Sequence, residues 1–164
     1  MLQIRQANKC DILDLVDLDD ECFDTYYYEK TKFSKLDFKN YLCRKNSVLL
    51  VAVSDSRIVG YVAGTVRTSR VRSIAQLDSI AVLPIARQKG IGSWLLQHFI
   101  QEAGQRACPP YTLGRRTCKM IMLEVAIANK EGLRFFSKRG FLKIRELPGY
   151  YGRGLDGVLM KLSV

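Results

Sequence analysis

The stretch Ile80-Ala81-Val82-Leu83-Pro84-Ile85-Ala86-Arg87-Gln88-Lys89-Gly90-Ile91-Gly92-Ser93-Trp94-Leu95-Leu96 decides the reading of this chain. An apolar run from Leu77 to Leu83, broken by Asp78 and Ser79, predicts a buried strand that Pro84 ends. After Arg87-Gln88-Lys89-Gly90-Ile91-Gly92 come Leu95, Leu96, Phe99, Ile100 and Ala103 at helical spacing. A strand, a short basic glycine loop and a helix aim free backbone N–H groups, and the positive end of a helix dipole, at one point. Such a point binds phosphate. Gly90 and Gly92 would let a ligand approach where a Cβ would collide, and Arg87 and Lys89 add positive charge. The spacing matches neither G-x-x-x-x-G-K-[ST] nor G-x-G-x-x-G, because Leu95 stands where the third glycine would be.

Upstream, Val48 to Val53 and Ile58 to Val66 read as a hairpin around the turn Ser54-Asp55-Ser56-Arg57. Gly60 and Gly64 inside its second strand point to close backbone packing. Ser34 reads as the N-cap of a helix with Leu36, Phe38, Tyr41 and Leu42 on its apolar face. Ile12, Leu15, Val16, Cys22 and Phe23 share a face of an earlier helix, and Leu2 to Arg5 alternates as a first strand. Between the helices, Tyr26-Tyr27-Tyr28 in a loop either lines a binding surface or covers the edge of the core. Downstream, Gly104 to Lys119 reads as a long loop and Met120 to Ala126 as an apolar strand carrying one acid, Glu124. Asn129 caps a helix through about Lys138, which Gly140 ends. Phe141 to Leu147 and Leu155 to Leu162 close the chain around Pro148-Gly149-Tyr150-Tyr151-Gly152-Arg153-Gly154. Without repeats, low-complexity tracts or linkers, residues 1–164 read as one α/β domain with mixed strand connections.

With 164 residues, 48% of them hydrophobic, the chain can bury a real core. It has no run of about 18 apolar residues, and Met1 to Arg5 carries no signal-peptide core. A cytoplasmic location away from membranes is therefore expected. The five cysteines, Cys10, Cys22, Cys43, Cys108 and Cys118, form no C-x-x-C pair and lie far in sequence from the single His98. Neither a metal centre nor a disulfide framework is expected, and the cysteines read as reduced, mostly small core residues. His98 sits at the margin of an apolar stripe and takes no catalytic role. Net charge is +10, yet Asp11, Asp14, Asp17, Asp19, Asp20, Glu21 and Asp24 fall in one segment. These acids read either as a solvated helix face or as an attraction for a cationic amine, while the basic remainder attracts polyanions.

Four separated pieces then recur in one order: Arg57-Ile58-Val59-Gly60-Tyr61, Leu77-Asp78-Ser79-Ile80-Ala81-Val82, the loop at 87–92, and Leu123-Glu124-Val125 followed by Asn129 and Arg134-Phe135-Phe136-Ser137-Lys138-Arg139-Gly140-Phe141. Together they resemble the GCN5-related N-acetyltransferase (GNAT) family over essentially the whole chain. Within it the chain is most similar to the ribosomal-protein alanine N-acetyltransferase group, on Leu123-Glu124-Val125 and on Gly149-Tyr150-Tyr151 leading to Val158-Leu159-Met160. The resemblance implies an α/β (α+β) fold whose mixed central sheet has helices on both faces and splays apart at the cofactor site. It implies that Arg87, Gln88, Lys89, Gly90, Ile91, Gly92 and Ser93 cradle the pyrophosphate of acetyl-CoA. The backbone of Ile80 and Val82 would pair with its pantetheine arm, with Ala81, Asn129, Phe135 and Phe136 also at the cofactor. Phe23, Tyr150 and Tyr151 match positions that clamp the first residues of a peptide, although Phe23-Asp24 stands where the family has Phe-Pro.

The implied reaction needs an N–H for the oxyanion, that of Val82, and a receiver for the amine's proton, Glu124, directly or through water. A carboxylate in an apolar strand is costly to bury without partners; the structural alternative is an exposed strand end paired with an Arg. One position departs from the family: the tyrosine twelve residues after this glutamate is Phe136 here. A thiol of pKa about 8.5 can leave without full protonation. Otherwise Tyr150, Tyr151 or water supplies the proton, or the domain binds the cofactor with weak or no activity. The expected function is acetyl-CoA-dependent acetylation of a protein or peptide α-amine. The alternatives are acetylation of a small amine, such as a polyamine or amino sugar, and a basic module that binds nucleic acid or a ribosome. Against the last, the chain lacks the aromatic–basic motif of an RNA-binding sheet.

Overall fold

Apolar residues run through the strand Ser47–Ser54 on both sides: Val48, Leu50 and Ala52 pack into one core cluster, Leu49 and Val51 into another. A strand buried on both faces belongs in the middle of a layered structure. The computed structural model describes residues 1–23, 32–69, 73–107, 118–152 and 154–164. Asp24, Tyr26 to Tyr28, Cys108-Pro109-Pro110, Gly114-Arg115-Arg116 and Arg153 lie outside them. The described strands and α-helices are β1 (Leu2–Gln6), α1 (Ile12–Cys22), α2 (Lys35–Cys43), β2 (Ser47–Ser54), β3 (Arg57–Thr68), β4 (Ser73–Val82), α3 (Ile91–Arg106), β5 (Cys118–Ala126), α4 (Lys130–Ser137), β6 (Leu142–Leu147) and β7 (Gly157–Ser163). Their order is the expected one. They form a 7-stranded sheet, β1-β2-β3-β4-β5-β7-β6. Every pairing is antiparallel except that of β4 with β5. Leu15, Leu18 and Phe38 from α1 and α2 cover one face, and Leu95, Phe99 and Phe136 from α3 and α4 the other. The fold is thus a mixed α/β sheet with helices on both faces, as the sequence implies.

Local chemistry explains the boundaries. The Ser34 hydroxyl accepts from the N–H of Asp37, while the Asp37 carboxylate accepts from the Ser34 N–H at 2.8 Å, closing a capping box at the start of α2. The apolar face of α2 is narrower than expected: Phe38 is fully buried but Leu36 is 66% exposed. Two residues turn a helix by about 200°, so both cannot face the core. β4 starts at Ser73, ahead of the apolar run, because the buried Ser73 and Ala75 are small residues that carry little hydrophobic signal. The long loop expected from Gly104 is shorter at both ends, since α3 runs to Arg106 and β5 begins at Cys118.

Two expectations about surface and core need correction. Of the four described cysteines only Cys118 is buried; Cys10 and Cys43 are exposed, one in a 3-10 turn and the other at the last residue of α2, off the apolar stripes. The acids near α1 divide. Asp14, Asp17, Asp20 and Glu21 form a solvated face, but Asp11 and Asp19 are buried and bonded. Asp11 takes both amino groups of Arg5, at 2.7 and 2.8 Å, and Asp19 accepts from the Tyr61 hydroxyl and the Phe33 N–H. The close approach expected at Gly64 is present: a Cβ there would lie 2.3 Å from the Gln76 carbonyl oxygen and 2.5 Å from the Phe99 ring. Among the described residues, no helix is long and apolar enough to cross a membrane, and no group of three His, Cys, Asp or Glu is placed to hold a metal.

Candidate active site

β4 and β5 pair only from Ser73 with Cys118 to Gln76 with Met122. Beyond that point β4 continues to Val82 and β5 to Ala126 with no pairing between them, so the sheet opens along its middle. A bulge lies beside the opening. Ala63 of β3 faces Ser79 of β4, and the next residue, Gly64, faces Leu77, which leaves Asp78 as the extra residue. A bulge bends its strand and re-aims one side chain. At the crotch of the gap the Gln76 amide donates to Oε2 of Glu124 at 2.7 Å. Two cavities, of about 700 and 480 Å³, meet there and share Phe23, Ile80, Asn129 and Phe136.

The larger cavity lies at the start of α3. Gly90 (φ 80°) precedes that helix in a left-handed conformation, and no side chain caps the first turn, so the N–H groups of Ile91, Gly92 and Ser93 face the cavity wall uncapped. Gln88 also holds a left-handed backbone (φ 61°), which costs a non-glycine residue about 1 kcal/mol. Arg87 donates through Nε to the Val82 carbonyl at 3.0 Å and stands 3.8 Å from Glu131. Arg139 bridges two helices, donating to the Phe135 carbonyl at 2.8 Å and to the Ser93 hydroxyl, with its guanidinium 3.7 Å from the centre of the Phe135 ring. Arg134 and Lys138 line the same wall. Of the predicted cradle, Arg87, Gln88, Gly90, Ile91, Gly92 and Ser93 all reach this cavity, and Lys89 does not. Gly92 makes room for protein first, since a Cβ there would meet the Phe135 ring at 3.2 Å.

The strand edge between the cavities is open for a geometric reason. The Leu83 N–H bonds to the Val59 carbonyl at 2.9 Å. Backbone groups alternate direction along an antiparallel pair, so those of Val82 and Ile80 point away from β3, into the gap. The Val82 carbonyl already receives Arg87, which leaves its N–H. Ile80, Ala81 and Val82 line the larger cavity, as does Asn129, whose Oδ1 accepts from the Gly132 N–H at 2.8 Å and caps α4 as expected. Phe136 is buried, edge-on to Phe135 and Phe141 with ring centres 5.1 and 5.3 Å away.

The smaller cavity gathers residues distant in sequence: Tyr41 of α2, Asp78 and Ser79 of β4, Glu124 of β5, and Tyr150 with Tyr151 ahead of β7. The Tyr41 hydroxyl donates to Asp78 at 2.7 Å. Ser79 is tied at 2.8 Å to the buried Tyr61 hydroxyl, which itself donates to Asp19. Tyr150 and Tyr151 pack edge to face with ring centres 4.9 Å apart. Glu124 is half-buried, and burial raises its pKa, against hydrogen bonds from Gln76, from its own backbone and from Tyr150. One side of Asp78 is open to solvent. Burial of the other pushes its carboxyl up to about 6; the Tyr41 hydrogen bond pulls back, Glu124's charge adds to the rise, and Arg67 lowers it. Burial and the two carboxylates raise the Tyr150 hydroxyl.

The structure brings Glu124, Tyr150, Tyr151, Phe23 and Phe136 to the wall of one cavity. The partner of Glu124 is Gln76, where an Arg was the structural alternative. Sequence reasoning missed Asp78, Ser79, Tyr41 and Arg139. The polar break Asp78-Ser79 in an apolar strand was the one available signal for the first two, and the basic cluster around Phe135 for Arg139; nothing marked Tyr41. Chemically, one end of the gap suits a polyanion and the other an ammonium ion, with an unpaired strand edge between them.

A family model described as Acetyltransferase (GNAT) family matches residues 12–141. An uncharacterized N-acetyltransferase of Methanocaldococcus jannaschii is 29% identical over an alignment of 153 residues that covers 90% of this chain. The chain spans 63% of that relative's length, and 62% of a second one from the same archaeon. An N-alpha-acetyltransferase of Saccharolobus solfataricus is 30% identical over 131 residues, 75% of this chain and 73% of the relative. Among solved structures, Arabidopsis thaliana NAA60 in complex with acetyl-CoA shares the fold, with a TM-score of 0.78 at 17% identity over 100% of this chain and 99% of that one.

Proposed function

The chain belongs to the acetyltransferase (GNAT) family, and on that premise we propose that it moves the acetyl group of acetyl-CoA to a primary amine, foremost the α-amine of a protein or peptide. The observation that carries this reading is the gap between β4 and β5, basic at one end and acidic at the other. Acetyl-CoA supplies an activated acyl carbon on a long anionic handle. The residues present fit that handle: an uncapped 16-residue helix, Arg87 and Arg139 at its first turn, and a strand edge with a free Val82 N–H. In this reading the Val82 N–H stabilises the oxyanion. Glu124 draws in the ammonium group, and Tyr150, standing beside Glu124 where Phe136 has no hydroxyl, supplies the proton for the departing thiolate.

An α-amine acceptor is supported by the Saccharolobus N-alpha-acetyltransferase, the more fully covered relative, and by Phe23, Tyr150 and Tyr151 around the acidic cavity. The two carboxylates there also suit a small polycation, which is the second reading. The test measures thiol release from acetyl-CoA against N-terminal peptides, ribosomal-protein N-termini among them, and against polyamines and amino sugars. Peptide acetylation at the α-nitrogen, located by mass spectrometry, is the expected result. Turnover with small amines alone would establish the second reading, and no turnover with any amine would overturn both.

A further inference from the structure

We propose that Asp78, and not Glu124, accepts the proton from the bound ammonium group, with Glu124 acting as the fixed negative charge that holds that group in place. The inference rests on the acetyltransferase reading above and deepens it. Its first support is the bulge. Asp78 is the one residue of β4 left without a partner on β3, and its side chain turns into the acidic cavity toward Tyr41. Its second is access. Glu124 is half-buried and receives the Gln76 amide at 2.7 Å, which favours its carboxylate. Asp78 receives one donor among the described residues, Tyr41, and keeps one side open to solvent, with lone pairs free for an incoming N–H.

The charged and titratable groups around Asp78 come from every packed element: Tyr41 and Asp37 of α2 with Lys32 ahead of it and Arg44 just after it, Arg67 of β3, Glu124 of β5, and Tyr150 with Tyr151. Two carboxylates sharing a cavity resist ionising together, so one of them takes a proton readily. A value near 6 leaves Asp78 ionised at neutral pH and able to accept a proton, as a general base requires. In the step, the ammonium N–H breaks and its proton goes to the Asp78 carboxylate. The freed lone pair forms the C–N bond to the acyl carbon while the C–S bond breaks. The second nitrogen proton passes to the Tyr150 oxygen as the Tyr150 hydroxyl gives its own proton to the sulfur, which leaves as thiol, and Asp78 returns its proton to water.

The experiment compares Asp78→Asn and Glu124→Gln with wild type in the pH dependence of kcat, with acetyl-CoA affinity measured by calorimetry as the check on folding. Wild type should show an acid limb near pH 6; Asp78→Asn should lower kcat about 100-fold and erase that limb, with acetyl-CoA affinity unchanged. Glu124→Gln should mainly raise the KM for the amine. Because Glu124's charge raises the Asp78 pKa, this variant should also move the acid limb to lower pH. Asp78→Asn with kcat within about threefold of wild type and its limb intact, or Glu124→Gln without a limb, would overturn the proposal while wild-type acetylation stands. Wild type that binds acetyl-CoA but acetylates no amine would overturn this inference together with the reading beneath it.

Discussion

The two cavities that meet in the gap are built in opposite ways. The basic one draws most of its wall from two short continuous stretches, 80–93 and 128–139. The acidic one collects a few residues each from α2, β4, β5 and the turn before β7, with 109 positions separating Tyr41 from Tyr150. An anion site needs backbone N–H groups and a helix end, which one local turn provides. A site that tunes carboxylates needs neighbours at chosen distances on several sides, and only packing supplies those. A change inside a local motif should therefore weaken one ligand, whereas a change in distant packing should disturb the acidic side.

The comparison can be broken hardest at Gly64. Its missing Cβ admits both the Gln76 carbonyl and the Phe99 ring, opposite the bulge that carries Asp78. Gly64→Ala should cost about 3 kcal/mol, read by urea denaturation, and the surviving folded protein should lose amine turnover before acetyl-CoA binding. A variant as stable as wild type would show that the bulge does not depend on this contact. Arg139 sharpens the other side. Replacing it with Met removes donors to Phe135 and Ser93 at the first turn of α3, so acetyl-CoA affinity should fall about tenfold while the KM for the amine stays unchanged. The smallest effect belongs to Lys89, exposed and away from the cavity wall. Lys89→Ala should change acetyl-CoA affinity by less than about twofold at physiological salt; a larger loss would return that residue to the cradle.

The contrast also explains what was legible in advance. The loop at 87–92, the cap at Asn129 and the lone acid Glu124 stand out because each breaks or punctuates a periodic pattern. The cysteines misled, because a small apolar residue at a helix end looks in sequence like one on its stripe. Asp19 and Asp11 were hidden for the converse reason. An acid among acids reads as solvated, and only the approach of Tyr61 and Arg5 distinguishes the buried ones.

By itself the sequence determined the order of elements and the basic glycine turn before α3, because these depend on local spacing: period two or period 3.6, a proline stop, a left-handed glycine. Tertiary structure alone decided where β4 and β5 part, which residue the bulge turns outward, and that Asp78 and Tyr41 meet beside Glu124. A bulge is a mismatch between two strands, and a pKa is a property of surroundings. Neither exists until distant parts of the chain are in contact.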